Sequence, residues 1–172
     1  MPLAVFESIP DGFRGTEATI RKMHQLAHQG KVDLTIQKVA DCIISRSGCG
    51  DRDYNCKAKA IYDFVKRCIR FERDPFGVEM VQEPVITLHR KAGDCDDHSI
   101  LIGSLLGSIG FPYAFKTIKA DDSRPDEFTH VYAVGYVPSK GWVGMDTSVG
   151  VAYYGWEPKR YKEAKVWPAR VA

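Results

Sequence analysis

No apolar run in this chain is long enough to cross a bilayer: the longest, from Ser99 to Ile109, is about eleven residues against the roughly twenty that a membrane helix needs. A surplus of one charge is missing too, since 24 Lys and Arg face 22 Asp and Glu for a formal net charge of +2. The basic residues are dispersed and not interleaved with aromatics, so neither nucleic acid nor membrane is expected as a partner. Met1 to Ile9 has no basic leader, no continuous apolar stretch and no small-residue cleavage site, and therefore does not read as a signal peptide. Internal repeats and low-complexity segments are absent as well, which removes solenoids and disordered tails. What is present, 44% hydrophobic and 27% charged residues over 172 positions, suits one globular domain with a real core.

Cysteine is scarce and odd in number: Cys42, Cys49, Cys56, Cys68 and Cys95 leave at least one free thiol if the others pair. Cys42 and Cys68 fall on apolar helical faces and are expected to be buried, reduced thiols. Cys49 and Cys56 flank the polar loop from Gly50 to Asn55 and could bridge. The spacing of Cys42, Cys49 and Cys56 lacks the close pairs of structural zinc sites, and a reduced, cytosolic setting is the default.

The first half patterns as helices. Thr16 to Gln29 is a polar helix ending at Gly30, and Asp33 to Ser45 carries Ile36, Val39, Ala40, Ile43 and Ile44 on one face before Gly48. From Asn55 to Ile69, the residues Ile61, Phe64, Val65, Cys68 and Ile69 follow the spacing of one helical stripe. Arg70 to Glu83 reads as irregular, with Asp74-Pro75 and Gly77, and Pro84 opens a short helical turn. Cys95 to Ile109 is apolar on several sides, the pattern of a helix through the middle of a domain, and Gly110 ends it. After that the period changes. Phe111 to Ile118, Phe128 to Val137 and Gly141 to Met145 are aromatic and β-branched, which predicts an antiparallel meander with a hairpin loop at Pro138 to Gly141. The tail from Val151 to Ala172, broken by Pro158 and Pro168, is expected to wrap irregularly. Helices followed by strands give an α+β class.

One tripeptide carries the chemistry. Asp94-Cys95-Asp96 stands where a loop turns into the buried helix, and a cysteine there can be a nucleophile because unpaired helix N–H groups favour its thiolate. His130 near the start of one predicted strand and Asp146 at the end of the next can meet across a hairpin, and counting back from the turn leaves them roughly level. Acyl transfer through cysteine needs a thiol, a base, a group that holds the base, and oxyanion donors. The helix start supplies backbone donors, and Gln82 is a candidate for a second, although an ordinary loop role is favoured for it. Asp94, Asp96 and Asp97 oppose thiolate formation by their charge; helix capping is favoured for them over substrate or metal contacts.

Gly93-Asp94-Cys95-Asp96-Asp97-His98-Ser99, Thr129-His130-Val131-Tyr132 and Gly144-Met145-Asp146-Thr147 together resemble the transglutaminase-like superfamily of cysteine enzymes. With Ile61-Tyr62-Asp63-Phe64-Val65, Ile69-Arg70-Phe71, Arg73-Asp74-Pro75 and Gly155-Trp156-Glu157-Pro158, the chain is similar to small transglutaminase-like proteins of tailed bacteriophages and prophages. The resemblance implies one domain with a papain-like α+β core over residues 55–160, a helical extension at 1–54 and a tail at 161–172. It implies Cys95 as nucleophile, His130 as general base and acid, and Asp146 as orienter of His130. It further implies a protein or peptide substrate, phage virion or assembly proteins as partners, and a bacterial cytoplasmic or virion-associated place. No cofactor or metal is needed for this chemistry.

Other residues compete less well. His98 lies three positions after Cys95, on nearly the same helix face, and is an alternative base. His24 and His28 have the i, i+4 spacing of helical zinc ligands, but Gln25 stands where a metalloprotease needs Glu, and a solvated helix face is favoured. Trp142, Trp156, Trp167, Tyr153 and Tyr154 can form a substrate wall, with core packing the favoured account.

Overall fold

The structure, a computed structural model, describes residues 13–74 and 80–169. The readings made for Met1 to Ile9, for Pro75 and Gly77, and for the last residues of the tail lie outside these. The element order is α1 (Phe13–Val32), α2 (Leu34–Ser47), α3 (Tyr54–Cys68), β1 (Arg70–Phe71), α4 (Pro84–Arg90), β2 (Ala92–Gly93), α5 (Cys95–Ser108), β3 (Tyr113–Ile118), β4 (His130–Val137), β5 (Gly141–Met145) and β6 (Ala164–Pro168). Helices first and an antiparallel sheet last make this the expected α+β architecture. No helix among the described residues is long and apolar enough to cross a membrane.

The hub is α5. Ile100, Leu101, Ile102, Leu105 and Leu106 are all fully buried, because the other helices pack on one side of α5 and the sheet on the other. The sheet order is β5-β4-β3-β6. Its inner face presents Phe115, Val131, Ala133, Val143 and Met145 to α5; its outer face carries a second small cluster of Ala114, Ile118, Tyr132 and Val134. Helix α1 runs through Gly30, which therefore does not terminate it. A Cβ at Gly30 would stand 2.4 Å from Ser104 Oγ and 2.6 Å from Pro84 Cγ, so glycine is what lets α1 lie close to α5 and α4.

Four further expectations change. The tail forms β6, which pairs antiparallel with β3 from Ala164↔Ile118 to Pro168↔Ala114. Pro168 is tolerated because it ends an edge strand, where the missing N–H breaks no inner ladder. Cys42 and Cys68 are exposed: the buried residues of α2 are Ile36 and Ala40, and at the end of α3 the buried position next to Val65 is taken by Ile69. His24 is not on a solvated face, since its ring packs 4.6 Å from that of Phe115 and its Nε2 meets the Trp167 carbonyl at 3.1 Å. Of the aromatic residues, Tyr154 and Trp167 pack partly buried against the core as expected, whereas Trp142 and Tyr153 do not, at 49% and 66% exposed. Cys49 and Cys56 are joined in a disulfide across the loop between α2 and α3.

Candidate active site

The approach to Cys95 is fixed by a short parallel pairing that sequence patterning does not reveal. Arg70 pairs with Ala92 and Phe71 with Gly93, and Glu72 N–H adds a bond to the Gly93 carbonyl at 2.9 Å. The chain then turns into α5 through a reciprocal cap. Asp94 Oδ1 accepts from the N–H groups of Asp96 (3.0 Å) and Asp97 (3.2 Å), while Asp97 Oδ2 accepts from Asp94 N–H (3.3 Å). This is the capping-box geometry with aspartate at both positions, so capping is what Asp94 and Asp97 do. Gly93 makes room for it: a Cβ there would lie 2.5 Å from the Asp97 Cβ.

Asp97, fully buried, also binds the loop before α4. Gln82 N–H donates to its Oδ1 at 2.8 Å, and the Gln82 side-chain amide donates to its Oδ2. Arg90 Nη1 donates to Gln82 Oε1 at 2.9 Å. Gln82 therefore stands behind the helix start as part of a network, with one of its two amide N–H groups already held.

Cys95 is the first residue of α5 and is half-buried. Its thiol donates to Asp96 Oδ1 at 3.8 Å, and the Val131 backbone N–H donates to the sulfur. Burial pushes the thiol well above its ordinary pKa, Asp96 and Asp94 push it further, and the Val131 N–H pulls the other way. These influences together favour the thiol over the thiolate. The capping box engages the N–H groups of Asp94, Asp96 and Asp97, and among the described residues the Cys95 N–H has no partner.

His130 begins β4, one residue before the Val131 that touches the sulfur. The ladder pairs Ala133 with Met145, and continuing it sets Asp146 opposite Tyr132. Asp146 and His130 are therefore diagonal neighbours on one face, two residues out of level, within reach for a long side chain. His130 Nε2 and Asp146 Oδ2 are 2.7 Å apart, with side-chain exposures of 17% and 1%. Burial alone would raise the Asp146 carboxyl, but the His130 contact and the Ser148 hydrogen bonds hold it below its usual range. With Nε2 bound to Asp146, Nδ1 is the nitrogen left to exchange a proton. Among the described residues no hydrogen bond joins the Cys95 thiol to His130; such bonds often tighten only when substrate is bound.

His98 is placed elsewhere. It is 2% exposed, its Nδ1 meets Thr147 Oγ1 at 2.8 Å, and burial pushes its pKa down to about 4. Residues the sequence reading passed over support His130 from below. The Tyr132 ring stacks on it at 5.9 Å, and Tyr132 OH donates to Glu157 Oε2 at 2.9 Å while Lys116 pairs with the same carboxylate. The available signal was the two-residue period of a strand, which sets Tyr132 on the same face as His130.

The Cys95 sulfur and one carboxylate oxygen each of Asp94 and Asp96 lie within 4.8 Å of one another. Asp94 Oδ1 is already employed in starting the helix, and Asp96 Oδ1 accepts from the Cys95 thiol. Asp94 has a titration consequence: burial, followed by the charges of Asp97 and Asp74, pushes its carboxyl up to about 7 against the pull of the Asp97 and Asp96 N–H groups. A raised carboxyl pKa stabilises the fold fully below the unfolded value near 3.9, and that contribution is lost as pH rises through the folded value. Asn keeps the capping oxygen without the charge. Asp94→Asn is therefore expected to gain stability relative to the wild type between pH 4 and pH 8 in urea denaturation. It is also expected to speed Cys95 alkylation at neutral pH, and an unchanged rate would mean that burial and Asp96 retain the thiol proton without help from Asp94.

Comparison with known proteins bears on the fold and the family. No curated protein matches the chain. Among solved structures, a presumed protease of Parabacteroides distasonis is similar at TM-score 0.55 and 13% identity, over 74% of this chain and 26% of that one. A presumed cysteine protease of Cytophaga hutchinsonii gives TM-score 0.49 and 16% identity over 80% of this chain and 53% of that one. Legionella pneumophila LapG gives TM-score 0.49 and 16% identity over 88% and 86%. The chain thus spans only part of the first two proteins, and at these identities the likeness concerns the fold. The sequence profile described as Transglutaminase-like superfamily matches residues 44–147, a stretch that runs from the end of α2 through the helix of Cys95 to the turn of Asp146, and the chain belongs to that superfamily.

Proposed function

We propose that the protein is a cysteine-dependent acyl-transfer enzyme that cleaves an amide or peptide bond of a protein or peptide substrate through a thioester on Cys95. The observation that carries this is the His130–Asp146 pair at 2.7 Å, whose histidine stands one residue before the Val131 N–H that acts on the Cys95 sulfur. His130 Nδ1 takes the thiol proton as sulfur attacks the carbonyl carbon, and returns it to the leaving amine as the C–N bond breaks. Water then attacks the thioester with His130 again as base, releasing the carboxylate and restoring the thiol. The unpartnered Cys95 N–H supplies one oxyanion donor, and Gln82 supplies a second through the amide N–H that Asp97 does not hold. Asp146 holds the imidazole by Nε2 and stabilises its charged form. Hydrolysis is favoured over transfer to an amine because water is the general acceptor and His130 is partly open to solvent. The presumed protease activity of the Parabacteroides neighbour belongs to the same chemical class.

Because burial, Asp96 and Asp94 favour the thiol over the thiolate, base assistance must show in its reactivity. Alkylation of Cys95 by iodoacetamide, followed by peptide-resolved mass spectrometry, is expected to rise with pH and level off below about pH 7. A rate that follows the ordinary cysteine ionisation near 8.5, or one above it, would sink the enzyme reading. That result would support a second one, which the thiol's bond to Asp96 favours: a phage-encoded assembly protein that uses the fold as a binding module.

A further inference from the structure

The turn that carries Asp146 is held from behind by two helices. Asp146 Oδ1 accepts from Ser148 N–H (3.0 Å), Ser148 Oγ (2.8 Å) and Val149 N–H (3.4 Å), which leaves Oδ2 for His130. The backbone carbonyls of the turn point toward the helical layer. Tyr62 OH, on α3, donates to the Asp146 carbonyl at 3.1 Å. Lys66 Nζ, one helical turn on, donates to the Val149 carbonyl at 2.5 Å and to the Thr147 carbonyl at 3.5 Å. His98 of α5 holds the Thr147 hydroxyl.

Lys66 alone among these three brings a full positive charge to the turn. We infer that Lys66 is a positioning residue for the Cys95 chemistry, fixing the Asp146 turn by its two carbonyl bonds and biasing the His130–Asp146 pair by its charge. This rests on the function proposed above. Lys66 is half-buried, and burial lowers its pKa while Asp146 raises it. The groups that face Asp146 are His130 and Tyr132 on β4, Tyr62 and Lys66 on α3, and His98 and Cys95 on α5. Of these, Lys66 is the one that carries an ammonium group. Removing it leaves the carboxylate's field on His130 less opposed, which favours the protonated imidazole.

The test is the pH profile of Cys95 alkylation by iodoacetamide in the full chain, resolved by mass spectrometry. Lys66→Met is expected to slow the reaction at pH 6.5 several-fold and to move the acid limb upward by about half to one pH unit. Lys66→Arg is expected to restore the wild-type limb, because it keeps the charge. Lys66→Gln, which can still donate to a carbonyl, is expected to shift as Lys66→Met does, and it serves in its place if Lys66→Met does not fold. A limb unmoved in the neutral variants, with only stability lost, would reduce Lys66 to a structural tie and overturn the inference. A wild-type profile with no limb below pH 7 would fail the enzyme reading first and this inference with it.

Discussion

Cys95→Ala is expected to abolish covalent labelling by a peptidyl chloromethyl ketone, and His130→Ala to slow labelling at Cys95 by about 10²–10⁴-fold. The first effect is absolute because the reacting atom is removed. The second is large because little else in the arrangement helps the sulfur to lose its proton. Burial, Asp96 and Asp94 all hold the proton on, and the Val131 N–H is the one opposing contact. The dipole of α5 adds only about 0.3–1 kcal/mol at a helix start, well short of the roughly 2.7–5.4 kcal/mol that such a rate factor represents. His130 must therefore provide most of the activation, and Asp146→Ala should lose part of it by freeing the imidazole. Labelling of the Cys95→Ala chain at the wild-type rate would show that the probe reads the exposed Cys42 or Cys68 and would end the case for Cys95.

Asp97→Ala is expected to cost about 3–5 kcal/mol in urea denaturation at pH 7. Asp97 is fully buried and accepts from Gln82 N–H, the Gln82 side-chain amide and Asp94 N–H; alanine would leave all three donors without their partner. The capping box would lose one half at the same time. The cost is partly offset, because burial raises the Asp97 pKa, so its charge is itself unfavourable in the fold. Asp97→Asn keeps one acceptor oxygen and is expected to fall between alanine and the wild type. A loss below about 1 kcal/mol for alanine would mean that water replaces the missing oxygens.

Particular elements explain what the sequence could reveal. The helix of Cys95 was legible from its all-round apolar pattern, and its start from aspartate at the cap and three residues on. The hairpin of His130 and Asp146 was legible from strand periodicity and a turn signal; its register was two residues out because a turn constrains strand alignment only loosely from sequence. The exposure of Cys42 and Cys68 was hidden, since an apolar stripe does not say where its edge falls. Strand β6 was masked by Pro168, whose tolerance depends on lying at a sheet edge. Tyr62 and Lys66 reach the Asp146 turn across more than eighty residues of chain, and no local pattern encodes such a contact.

The distribution of sulfur has a practical bearing on quaternary structure. With Cys49 and Cys56 bridged to each other, the two thiols at the surface, Cys42 and Cys68, can find oxidised partners only on other molecules unless they meet each other. Each chain then offers two linking points, enough for an open-ended series of covalent adducts in air. A ladder of species on a non-reducing gel that collapses with reductant would be surface oxidation, and the assembly state of the protein is properly read from Cys42→Ser, Cys68→Ser material.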